Sequence, residues 1–169
     1  MGAIPRAASE LPQGRDRVAQ LRQRVVDTPG QTCGSIRVMV ELGGFHHVAL
    51  TVRDLEVSAS WYRDLLGFEE LFREDGPGRR ACVMRFAGGG YSVGLVEHPT
   101  SRSDAFDPSR PGLDHLAFSV GRRDELDSWA VRLTEAGVDH SGVAEIPPGA
   151  ILNFKDPDGV ALALFWDRP

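Results

Sequence analysis

An internal repeat constrains this chain more than any other feature. Phe45–Val52 reads F-H-H-V-A-L-T-V and Leu113–Val120 reads L-D-H-L-A-F-S-V, which sets His115 opposite His47, 68 positions on. Trp129 follows Trp61 at the same spacing, inside the segment after each of those stretches. A single matched pair arises easily by chance. Two pairs at one spacing, each followed by the same order of elements, define a duplicated structural unit.

Each copy continues the same way. In the first, Asp54 is placed to cap a helix whose apolar stripe is Leu55, Ala59, Tyr62, Leu65 and Leu66, and Gly67 stops it. In the second, Leu126, Trp129, Ala130 and Leu133 form the stripe before Gly137. Three short strands follow in each copy: Glu69–Phe72, Arg80–Phe86 and Tyr91–Glu97, then Val138–Val143, Ala150–Phe154 and Val160–Trp166. The turns A-G-G-G-Y and K-D-P-D-G separate the last two strands of each set. The expected fold is therefore α+β: two tandem βαβββ units, about 44–98 and 112–167, forming a curved mixed sheet around a ligand cavity within one domain, 39–169.

Residues 1–38 read as an N-terminal extension, either flexible or a mis-assigned start with translation beginning at Met39. The rival reading is a strand at Ile36–Leu42, hairpinned through Gly43 and Gly44 into the next one. Six arginines against three acids give this stretch a net charge of +3, leaving 13 basic and 21 acidic groups in the rest of a chain whose total is −5. So acidic a body has no basic face for nucleic acid. No apolar run approaches the ~20 residues of a membrane span. Two cysteines, Cys33 and Cys82, form neither a disulfide framework nor a C-x-x-C site, which fits a reducing cytoplasm.

Strand alternation assigns faces. Val48, Leu50 and Val52 face the helix, as do Leu116, Phe118 and Val120. His47, Ala49 and Thr51 share the other face with their counterparts His115, Ala117 and Ser119. In the closing strands Ser92, Gly94 and Val96, and Ala161, Ala163 and Phe165, fall on that second face. Two sheets placed edge to edge would enclose a cavity lined by small side chains.

The duplicated H-V-A-L-T-V and H-L-A-F-S-V strands with a closing D-P-D-G resemble the vicinal oxygen chelate superfamily, which includes glyoxalase I, extradiol dioxygenases, fosfomycin-resistance enzymes, methylmalonyl-CoA epimerase and bleomycin-binding proteins. The resemblance spans about residues 44–167. Metal-using members take ligands from the first and last strands of each unit, which maps here onto His47 and His115, and onto Gly94 and Ala163 where glutamates stand in the family. Neither Gly94 nor Ala163 offers a donor atom. Alternation turns Glu97 and Asp114 to the opposite face, while Glu145 and the loop acids from Asp104 to Asp107 stay open as substitutes. No cofactor is favoured, with a divalent metal held by His47 and His115 as the alternative.

The expected ligand-binding set is His47, Thr51, Ser92, Gly94, His115, Ser119, Ala163 and Phe165, the last as a stacking wall. Trp61 and Trp129 read as core anchors. Asp156 and Asp158 read as holding their own turn through backbone amides. The chain is thus expected to bind a small organic molecule without a family-type metal site, as a homodimer. The alternative is a metal-dependent lyase, isomerase or dioxygenase with a third ligand not yet identified.

Overall fold

The structure is a computed structural model and describes residues 44–100 and 106–169. The proposed extension 1–38, the rival strand Ile36–Leu42, Cys33 and the loop acid Asp104 lie outside the described residues. The first half contains β1 (His47–Val52), α1 (Leu55–Asp64), β2 (Phe68–Gly76), β3 (Arg79–Phe86) and β4 (Ser92–Glu97). The second contains β5 (Leu116–Ser119), α2 (Arg123–Glu135), β6 (His140–Ile146), β7 (Gly149–Lys155) and β8 (Ala161–Asp167). These are the two βαβββ units that the repeat predicts. Each closes its own four-stranded mixed sheet, in the orders β1-β4-β3-β2 and β5-β8-β7-β6. First and last strands of each half pair in parallel, and the remaining pairs are antiparallel.

Local chemistry explains the helix boundaries. The Asp54 carboxylate accepts the amides of Glu56 and Val57, and Glu97 reaches over from β4 to accept Leu55 N at 2.8 Å. Glu125 does the same for α2, accepting the amides of Gly121 and Arg122. Gly67 and Gly137 follow the helices with φ of +75° and +70°, a left-handed conformation that a side chain would strain.

Burial follows the predicted faces. Leu50 and Val52 on β1, Val93 and Leu95 on β4, Leu162 and Leu164 on β8 and Phe118 on β5 are buried in one continuous core with Leu55, Tyr62, Leu126 and Leu133 of the helices. His47, Ala49, Thr51, His115, Ala117 and Ser119 are exposed. β2 is longer than the expected Glu69–Phe72 and carries charge along its length. It is an outer strand with a bulge between Glu70 and Phe72, and ion pairs such as Glu74–Arg79 and Asp75–Arg80 tie it to β3.

The halves meet through helix-face residues. Trp61 of α1 packs 6.3 Å from Phe154 of β7, and Phe118 lies 5.7 Å from Phe68 and 5.9 Å from Tyr91. Arg132 of α2 lies over the Trp129 ring and donates to the Asp64 carbonyl at the end of α1. The turn between β7 and β8 supplies the polar part of this contact. Asp156 accepts Asp158 N and Val160 N within its turn, as expected, but its other oxygen accepts the Tyr62 hydroxyl at 3.1 Å. Asp158 departs from the expectation: it accepts Arg53 N, Arg53 Nε and Ser58 Oγ, all from the first half. Sequence-local reasoning missed this because a D-P-D-G turn already accounts for its acids.

Candidate functional site

The strand registers set the candidate residues beside one another. His47 pairs with Ser92, Ala49 with Gly94, and Thr51 with Val96. On the other sheet Ala117 pairs with Ala163 and Ser119 with Phe165. Gly94 and Ala163 therefore occupy equivalent places, each beside the residue two positions beyond a histidine. Both are buried, and a Cβ on Gly94 would stand 3.3 Å from that of Ala49. Thr51 is exposed and Phe165 half-buried on the same faces.

The histidines have local partners. His46 and His47 bring their Nδ1 atoms within 2.7 Å, so one donates and the other accepts. His115 Nδ1 lies 2.6 Å from Asp114 Oδ1. A carboxylate only accepts, so Nδ1 carries the proton in this contact. Alternation predicts Asp114 on the other side, but β5 begins only at Leu116, so the two residues escape strand geometry.

Three cavities border these residues. One of about 420 Å³ lies at the seam of the halves, with Phe86, Tyr91 and Phe118 as walls and the Ser92 and Ser119 hydroxyls among its polar lining. A broad groove of about 540 Å³ carries His115 with Asp114, His140, Asn153 and Lys155. A third, about 360 Å³, lies across the Tyr91–Phe118 wall from the first and takes in Ser119, Glu125 and Trp129. Of the eight expected ligand residues, Ser92 and Ser119 thus share one cavity and His115 opens onto another. His47, Thr51, Gly94, Ala163 and Phe165 line none of the three. The aromatic walls escaped sequence reasoning because Phe86, Tyr91 and Phe118 sit on helix-facing or turn positions. Their clustering, with Phe86 and Tyr91 stacked at 5.5 Å, arises only where the halves meet.

The donor set does not fit a family-type metal centre. Two imidazoles are present, His47 on β1 and His115 just before β5, but the glutamate positions hold Gly94 and Ala163. Among the described residues no group of three or more His, Cys, Asp or Glu side chains gathers as a metal site would require. Cys82 offers no nucleophile, because burial pushes its thiol up to about 11. No helix among the described residues is long and apolar enough to cross a membrane.

Comparison with known proteins agrees with this architecture. A glyoxylase/bleomycin resistance protein/dioxygenase domain from Frankia sp. EAN1pec is 42% identical, with a TM-score of 0.71 over 76% of this chain and 100% of that one. The uncharacterized protein YaeR of Escherichia coli K12 is 31% identical over 132 residues, 75% of this chain and 98% of YaeR. A manganese-dependent 2,3-dihydroxybiphenyl 1,2-dioxygenase of Geobacillus genomosp. 3 is 25% identical over 75% of this chain, which spans only 38% of that enzyme. Residues 44–164 match one family description throughout, and the chain belongs to the Glyoxalase/Bleomycin resistance protein/Dioxygenase superfamily.

Proposed function

We propose that this protein binds a small organic molecule in the 420 Å³ seam cavity and does so without a family-type metal centre. The observation that carries the reading is a contrast. The glutamate positions of both halves hold residues without donor atoms, whereas the adjoining cavity combines three aromatic walls with the hydroxyls of Ser92 and Ser119. That volume lies in the range of small-ligand sites, and a mostly apolar lining with a few polar groups is their usual composition. The acidic body supports small neutral or cationic partners over nucleic acid. A second copy of the chain fits beside β1 and β5, whose outer edges pair with no strand among the described residues. Unpaired, buried Cys82 supports a cytoplasmic setting.

The second reading, a metal-dependent lyase, isomerase or dioxygenase using His47, His115 and a third ligand, is favoured by the manganese dependence of the Geobacillus relative. Elemental analysis separates the two. Protein purified from cells supplied with manganese, iron, nickel and zinc is expected to hold far less than one metal ion per chain. Stoichiometric metal that disappears in both His47→Ala and His115→Ala would overturn the first reading. A ligand that fills the cavity at about 100 times its Kd raises stability by about 2.7 kcal/mol. Ser119→Trp should abolish that gain, and light scattering should give twice the chain mass.

A further inference from the structure

Among the described residues the two halves meet twice, once in each direction, and one of the meetings is filled while the other is not. At the first, the β7–β8 turn lies over the start of α1, where Asp156 and Asp158 engage Tyr62, Ser58 and Arg53. At the second, the β3–β4 turn lies against the end of β5 and the start of α2. The turns are built alike: Phe86 N donates to Tyr91 O and Gly89 N to Phe86 O, as Asp156 N donates to Val160 O and Gly159 N to Asp156 O. Phe86 thus stands where the other half has Asp156. At the 68-residue spacing, Trp129 answers Trp61, but Ala130 replaces Tyr62 and Gly121 replaces Arg53. Leu126 answers Ser58, but the two large side chains that fill the first meeting are missing from the second, and the 360 Å³ cavity lies there, walled by Phe68, Phe86, Tyr91, Phe118 and Trp129.

We propose that this cavity is a second binding site, selective for an uncharged, planar aromatic molecule of one or two rings. It goes beyond the seam-cavity reading, from which it is separated by Tyr91 and Phe118. The volume equals the share of roughly a dozen water molecules, each of which needs two to four polar partners to be held in order. The walls offer few. The Ser119 and Tyr91 side chains bring one hydroxyl each, and the Glu125 carboxylate already accepts Gly121 N and Arg122 N and sits 3.5 Å from the Arg122 guanidinium. That carboxylate repels an anion, and with its oxygens so engaged it offers a cation no free counter-charge. Five aromatic rings favour a flat apolar guest through offset and edge-to-face contacts.

The test uses the full chain with Trp61→Phe and Trp166→Phe, which leaves Trp129 as the last of three tryptophans. 7-Methoxycoumarin, uncharged, flat and of two fused rings, is the probe. It should quench Trp129 emission saturably at one molecule per chain. Ala130→Tyr, which copies the filled meeting, and Val120→Phe should each weaken binding at least about tenfold. Ser92→Leu, which narrows the seam cavity, should leave it within about twofold. Circular dichroism melts establish that the variants fold, and either cavity-filling variant suffices. No saturable quenching in the parent overturns the proposal, as does unchanged affinity in the folded filling variants. Loss of binding in Ser92→Leu alone moves the probe to the seam cavity and overturns it equally.

Discussion

Replacing Tyr62 by Phe isolates a single bond between the halves. The Tyr62 ring is fully buried and packs edge-on against Trp61 and Phe68, contacts that Phe retains. What is lost is the hydroxyl donated to Asp156 Oδ2 at 3.1 Å. Asp156 is 6% exposed, so water cannot replace that donor fully. Hydrogen bonds to a charged group contribute about 1.5–3 kcal/mol, which for a chain of this size lowers Tm by roughly 3–12 °C. The effect also depends on pH in a fixed direction. Burial, first among the causes, holds the Asp156 carboxyl above the ordinary aspartate range, while its backbone and Tyr62 bonds oppose the rise. A carboxyl raised in the native state contributes stability that is full below its unfolded value, near 3.9, and is lost as pH climbs through the native value. Removing the Tyr62 donor raises the native value further, so the penalty of Tyr62→Phe should be small near pH 4 and full at pH 7. Urea denaturation at both pH values, read by tryptophan emission, measures it. The double variant Tyr62→Phe, Asp156→Asn should show a coupling of about 1 kcal/mol or more. A penalty under ~0.5 kcal/mol at pH 7, or one that shrinks as pH rises, refutes the argument.

Gly149 meets β8 so closely that an added Cβ would overlap the Trp166 carbonyl oxygen. Gly149→Ala must displace backbone and should cost more than about 3 kcal/mol, whereas Gly78→Ala, with open space around it, should stay within about 0.5 kcal/mol in the same melt. In a Cys33→Ser background, native protein should resist a thiol reagent at pH 8 and react fully in guanidinium, since burial keeps the Cys82 thiol protonated. Rapid native labelling would show that β3 opens readily. Asp158→Ala removes the acceptor of Arg53 N, Arg53 Nε and Ser58 Oγ together and should destabilise by about 2–4 kcal/mol, with Asp158→Asn recovering part of the loss.

Much of the architecture is legible in the chain because period and punctuation agree. Alternation over β1 and β5, a 3.6-residue stripe in each helix and glycines at 67 and 137 all point to one arrangement. The face assignments hold for the same reason. Two things were hidden. The length of β2 was one, since R-E-D-G after Phe72 reads as loop until Arg79 and Arg80 are seen to neutralise its acids across the ladder. The cavities were the other, because Phe86, Tyr91 and Phe118 belong to different elements, and no local pattern tells that their rings converge. Asp114 adds a smaller lesson: parity arguments fail just two residues outside a strand.

The highly charged outer strand β2 has a consequence for the molecule in company. Its backbone faces solvent along one side, yet the bulge at Leu71 and the run of acids and arginine deny a newcomer any regular register there. An incoming strand would have to strip several ion pairs of their water before forming its first bond. Sheet extension by an incoming strand is thereby disfavoured at that rim.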